Sequence, residues 1–155
     1  MQDINSSNIQ KLESMISQAR KIAVVTHQKP DGDAMGSCTA LYHFLSLCGK
    51  DSIRIILNDR YPAYLDFIVS DIPDTDLLVF SERPLETGII LRDSDLIFCL
   101  DFNAFSRTDK LEPFLAGSKA EKVLIDHHLN PDRAAFDLSF SETDISSASE
   151  LLYNV

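Results

Sequence analysis

Seven histidine and aspartate side chains fall in three short groups, each at the end of an apolar run. His27, Asp31 and Asp33 lie in HQKPDGD, behind KIAVVT. Asp101 closes DLIFCLD, and Asp126, His127 and His128 follow KVLI. Gathered at one place, these carboxylates would repel one another unless cations compensated them. A mixed imidazole and carboxylate set suits manganese or a similar ion better than magnesium alone, because imidazole is a poor magnesium ligand. Two such ions, about 3.5–4 Å apart and bridged by a carboxylate, are a standard arrangement for in-line attack on phosphorus.

Each group has a plainer reading when taken singly. Pro-Asp-Gly-Asp is a good turn. His27 alone would be a hydrogen-bonded histidine at a strand end, and Asp101 alone would cap the next helix. Asp126-His127-His128 is harder to dismiss, because three polar residues straight after Val-Leu-Ile do not suit a core. The plain readings together require three coincidences along one edge, so the metal reading is preferred.

The elements that would bring the groups together follow from periodicity. Residues 8–20 form an amphipathic helix, with Ile9, Leu12, Met15, Ile16 and Ala19 at helical spacing. Residues 21–27 make a short, β-branched, buried strand. Residues 34–48 make a second helix on a stripe of Ala34, Cys38, Leu41, Leu45 and Cys48, which Gly49 is placed to end. Strands follow at 51–57, more weakly at 77–80, and strongly at 95–101 and 122–128; a last helix spans 146–153. Apolar strands alternating with helices predict an α/β fold, a mostly parallel sheet flanked by helices. Right-handed crossovers would set the carboxyl ends of the strands along one edge, where ligands of open α/β sheets bind.

Composition limits the partners. The chain of 155 residues fits one domain, residues 1–155, and its 45% apolar content is ordinary. A net charge of −10 argues against a broad surface for duplex nucleic acid. It allows a small phosphorylated substrate, since bound metal ions reverse the local field. Cys38, Cys48 and Cys99 show no paired spacing and sit among apolar residues, as buried reduced thiols would; this fits a cytoplasmic protein. No signal peptide or run of membrane-spanning length is visible.

These residues carry a family resemblance. HQKPDGD resembles the first motif of the DHH phosphoesterases, H-x-x-x-D-x-D. Asp101 after its apolar strand resembles the second, IDHH at 125–128 is the signature that names the family, and SSASELLY at 146–153 is similar to the segment that follows. The resemblance covers residues 21–153. It implies that His27 and Asp31 hold one manganese ion, that Asp33 and His127 hold another, and that Asp101 bridges the two; magnesium or cobalt would be the substitutes. His128 would contact the substrate phosphate, and Asp126 would orient the neighbouring histidine; these two are the expected catalytic residues. A hydroxide held between the metals would attack phosphorus. Arg107, a few residues beyond Asp101, would suit a phosphate contact, its plainer reading being a surface arginine near a helix start. Ser147 and Ser149 would cap and pack the last helix.

The resemblance also marks what is missing. The family carries a further aspartate beyond the SSASELLY-like helix, in a D-T-G-like segment, and a second, smaller substrate-binding domain. The chain is therefore expected to be the first domain of a longer protein, truncated at its C-terminal end. Only the site of His27, Asp31 and Asp101 would be complete, so turnover by this chain alone should be weak. The expected substrates are short RNA, dinucleotides or 3′-phosphoadenosine 5′-phosphate, with homo-oligomers possible. The alternatives are an inorganic pyrophosphatase or exopolyphosphatase of the same superfamily, and a metal- or nucleotide-binding fragment without turnover.

Overall fold

A computed structural model describes residues 3–155. Six strands form one sheet, parallel throughout: β1 Ile22–Thr26, β2 Ile53–Leu57, β3 Leu77–Val79, β4 Leu96–Leu100, β5 Glu121–Asp126 and β6 Leu138–Ser141. Their order across the sheet is β3-β2-β1-β4-β5-β6. The α-helices are α1 Ser6–Gln18, α2 Gly32–Leu47, α3 Pro84–Asp93, α4 Glu112–Gly117 and α5 Ala148–Asn154.

The sheet is buried on both faces, which is why its central strands read as unbroken apolar runs rather than as alternations. Side chains still alternate in direction along each strand. Ile22, Val24, Phe98, Leu100, Val123 and Ile125 pack with Leu12 and Met15 of α1, Leu41 and Leu45 of α2, and Leu151 of α5. Ala23, Val25, Ile97, Cys99 and Leu124 pack on the other face with Leu91 of α3 and Leu115 of α4. The strand order reverses between β1 and β4. A sheet wound in both directions from such a point opens a crevice there, outside the carboxyl ends of the strands.

Register sharpens this placement. Thr26 lies beside Leu100, and Leu100 beside Ile125. The next residues are His27, Asp101 and Asp126, so three strands deliver their polar residues level with one another.

The structure shifts some expected boundaries. The helix expected at 34–48 starts at Gly32 with Asp31 as its cap, so Asp33 sits in a first helical turn and not in a solvated turn. It ends as foreseen: Gly49 has φ +82°, Lys50 N–H donates to Leu45 C=O, and Gly49 N–H donates to Ser46 C=O. That pair of bonds needs a residue tolerant of left-handed backbone just past the helix. The strand expected at 122–128 stops at Asp126, leaving His127 and His128 on the loop beyond it. One expectation is overturned. Cys48 is exposed, because it caps α2 where the helix runs out over the surface; Cys38 and Cys99 are buried, and all three are free thiols. Burial pushes the Cys38 and Cys99 thiols well above their ordinary pKa, as suits unreactive core residues. Among the described residues no helix is long and apolar enough to cross a membrane.

Candidate metal centre

The centre forms where β1, β4 and β5 end. His27 follows β1 and is almost wholly buried. Its Nδ1 lies 2.7 Å from the Gln28 carbonyl oxygen, which can only accept, so Nδ1 carries the proton and Nε2 keeps its lone pair. That Nε2 faces Asp101 Oδ2 at 3.5 Å and Asp31 Oδ1 at 3.9 Å. Asp31 caps α2, its Oδ1 accepting from the Asp33 and Ala34 amides at 3.1 Å, while most of its carboxylate stays exposed.

Asp101 is the centre's pivot. It is buried and holds φ +63°, a left-handed conformation that non-glycine residues adopt rarely and that often marks functional sites. Its amide donates to Ile125 C=O at 3.1 Å, which ties the turn to β5. Oδ2 faces His27. Oδ1 has no hydrogen-bond partner, although His127 Nε2 lies 3.4 Å away and His128 Nδ1 3.8 Å. A buried carboxylate oxygen left without a donor costs several kcal/mol of lost hydration unless a cation takes its place.

His27, Asp31 and Asp101 offer three ligand atoms close enough to share one ion, and so do Asp101, His127 and His128. Asp33 stands next to the second set, its Oδ2 3.7 Å from His127 Nε2. Asp126 is fully buried, and its Oδ1 lies 2.6 Å from His128 Nδ1. The histidine that Asp126 orients is thus His128 and not the adjoining His127. The pairing commits Nδ1 of His128 to the aspartate and leaves Nε2 for another partner.

The orphaned oxygen, the lone pairs turned toward it and the mixed donor chemistry fit divalent cations. Residues 21–155 match the N-terminal domain of the DHH family. The chain belongs to the DHH family. Among solved structures, it is similar to an exopolyphosphatase-related protein from Bacteroides fragilis, with 34% identity and a TM-score of 0.89. That match covers 96% of this chain and 42% of the other, so this chain spans less than half of that relative. RecJ from Thermus thermophilus, solved in complex with Mn2+, matches over 96% of this chain and 19% of its own, with 18% identity and a TM-score of 0.53. A Sir2 enzyme structure matches over 96% of both chains, with 11% identity and a TM-score of 0.55. At those last two identities the likeness speaks for the α/β fold alone.

Two features of this DHH domain lie beside the expected ligands. Arg107 is exposed, in a turn spanning Phe105–Leu111, and its carbonyl accepts from Gln28 N–H at 2.8 Å. The backbone of the loop is therefore pinned next to His27, while the guanidinium makes no hydrogen bond or ion pair among the described residues. Asn58, at the end of β2, is the second, and sequence reasoning missed it. It is buried, accepts from Lys110 N–H at 3.1 Å and donates to Asp109 Oδ2 at 3.4 Å, holding a kink where Asp109 has φ +51°. A buried asparagine beyond a strand carries no spacing signal; only the contact reveals its role.

The charge of His27 gives a pH prediction. Asp101 alongside holds its imidazole above the usual 6.5, against burial, which pushes it down. Protonated His27 therefore binds its surroundings better folded than unfolded. Its stabilisation is complete below about pH 6.5 and is lost as pH rises through the higher folded value. Metal-free protein should lose stability as pH rises above about 6.5, and His27→Gln should lose less over the same rise; chemical denaturation at stepped pH measures both. Manganese affinity should increase with that rise, because proton and ion compete for Nε2.

Proposed function

We propose that this domain carries the metal centre of a manganese-dependent phosphoesterase acting on short RNA, dinucleotides or bisphosphorylated nucleotides. The observation that carries the reading is the buried, unpartnered Oδ1 of Asp101, held between two sets of imidazole and carboxylate donors. In this reading His27, Asp31 and Asp101 hold one cation, and Asp33, Asp101 and His127 hold the second. When bound, the cations supply an activated water and neutralise charge on the phosphoryl oxygens.

The chain's own groups do the rest. Asp101 joins the two sets through its two oxygens. Asp126 holds the His128 ring, so Nε2 is turned to the substrate phosphate. Arg107 supplies a second, bidentate contact to the same group. RecJ, a protein of the same fold, was solved in complex with Mn2+, and that supports manganese. The net charge of −10 supports a small substrate, engaged at the centre rather than along a basic track. Buried free thiols support a reducing, cytoplasmic setting.

A second reading, an inorganic pyrophosphatase or exopolyphosphatase, is favoured by the relative that is 34% identical and described as exopolyphosphatase-related. Single-turnover assays with enzyme in excess separate the two. The first reading expects Mn²⁺-dependent cleavage of a 5′-labelled RNA dimer and of 3′-phosphoadenosine 5′-phosphate, both abolished by a chelator. Faster cleavage of pyrophosphate or polyphosphate would transfer the assignment to the second. Cleavage of none, with manganese bound, would leave a metal-binding domain without turnover.

A further inference from the structure

Asp33 is held from outside its own helix. Its carboxylate reaches the start of α5, where the Ala148 amide donates to Oδ2 at 2.8 Å and the Ser149 amide to Oδ1 at 2.9 Å. The Ser149 hydroxyl donates to the same Oδ1 at 2.6 Å. Three donors thus fix one carboxylate, and they are shared unequally. Oδ1 is taken by two bonds from Ser149. Oδ2 has one, and it is also the oxygen that faces His127 Nε2 at 3.7 Å.

The two serines at this helix start do different things. Ser147 is the N-cap, accepting from the Glu150 amide at 3.0 Å. Ser149 caps nothing; its hydroxyl lies against the first turn of α2, where a side-chain carbon added at Gly36 would stand 3.5 Å from it. Of the two serines expected to cap and pack the last helix, Ser147 caps it and Ser149 packs it on α2.

We propose that Ser149 is a positioning residue for the cation held by Asp33 and His127: it occupies Oδ1 of Asp33 and so turns Oδ2, as a single ligand atom, toward His127. The proposal rests on the reading of Asp33 as a ligand. Its physical basis is general. A free carboxylate can rotate or grip an ion with both oxygens, whereas one whose second oxygen is saturated offers a single, fixed lone-pair direction. Groups that orient metal ligands in this way change affinity by roughly 10–100-fold when removed.

The test is calorimetric titration of Mn²⁺ into the metal-free chain and four variants. Asp33→Asn defines what loss of the second site looks like. Ser149→Ala should weaken the same binding phase by roughly 10-fold or more and leave the other phase in place. Ser149→Thr, which keeps the hydroxyl, should restore it. Ser147→Ala is the structural control: it removes a helix cap and touches nothing on Asp33, so thermal stability should fall while both phases stay. If Ser149→Ala binds like wild type while Asp33→Asn does not, the proposal is overturned. Equal weakening by Ser147→Ala and Ser149→Ala overturns it as well, since helix integrity alone would then explain the effect. If Asp33→Asn itself matches wild type, the reading of Asp33 as a ligand fails instead.

Discussion

Above the pH at which His27 loses its proton, Asp101→Asn is expected to make the metal-free protein more stable and to abolish its binding of manganese. The gain arises because Asp101 keeps a buried charge with one oxygen unpartnered and holds left-handed backbone at φ +63°. Asparagine tolerates that backbone as well as any residue except glycine. Its amide could donate to an imidazole Nε2, either that of His27 at 3.5 Å or that of His127 at 3.4 Å. Removing an unsatisfied buried polar group is worth about 1–3 kcal/mol, which in a chain of this size raises Tm by roughly 2–4 °C for each kcal/mol. The loss arises because Asp101 alone is shared by both candidate ligand sets. Removing a group that only orients a ligand costs roughly 10–100-fold in affinity, so removing the shared ligand should cost at least the upper figure for both ions. Thermal melts with and without Mn²⁺ read both effects. Wild type should gain stability from manganese and the variant should gain almost none. A variant that is less stable without metal, or that is stabilised by manganese as wild type is, would show that Asp101 is a structural residue.

The second large effect belongs to Asp126. It is fully buried, touches His128 and lies in neither ligand set. Asp126→Asn keeps the shape but removes the charge that holds Nδ1 of His128. The expected result is a separation of two properties. Manganese affinity should stay close to that of wild type, while single-turnover cleavage of the RNA dimer should slow by about 10²–10⁴-fold, the range for removing a positioned proton donor or its orienting partner. His128→Ala should slow cleavage to a similar level, and the double variant should be little slower than either, since groups acting as a unit are not additive. Loss of manganese binding in Asp126→Asn would instead make Asp126 part of the metal shell.

Much of this was legible from residue order, for a physical reason. Central strands of a parallel sheet are buried on both faces, so KIAVVT, DLIFCL and KVLI stand out as continuous apolar runs. Their register then decides that the residues just beyond them meet. What stayed hidden depended on weaker or longer-range signals. Strand β6, Leu138–Ser141, is short, lies at the sheet edge and alternates with serine, so its sequence does not read as a core strand. Helix α3 begins at a proline and carries Gly88 against Phe114 of α4, a close approach that breaks its apolar stripe. The link between Asp33 and Ser149 spans more than a hundred residues and arises only when α5 docks on α2. The exposure of Cys48 turned on where α2 stops, which a helical stripe does not specify.

The carboxyl ends of β1, β4 and β5 are expected to form a manganese centre. Anomalous diffraction from crystals of the metal-free chain soaked in Mn²⁺ tests it most directly. The expected result is a peak within bonding distance of Asp101, with His27 and Asp31 as its companions, and a second about 3.5–4 Å away on the side of Asp33 and His127. Manganese scattered over the acidic surface, with no density beside Asp101, would contradict it.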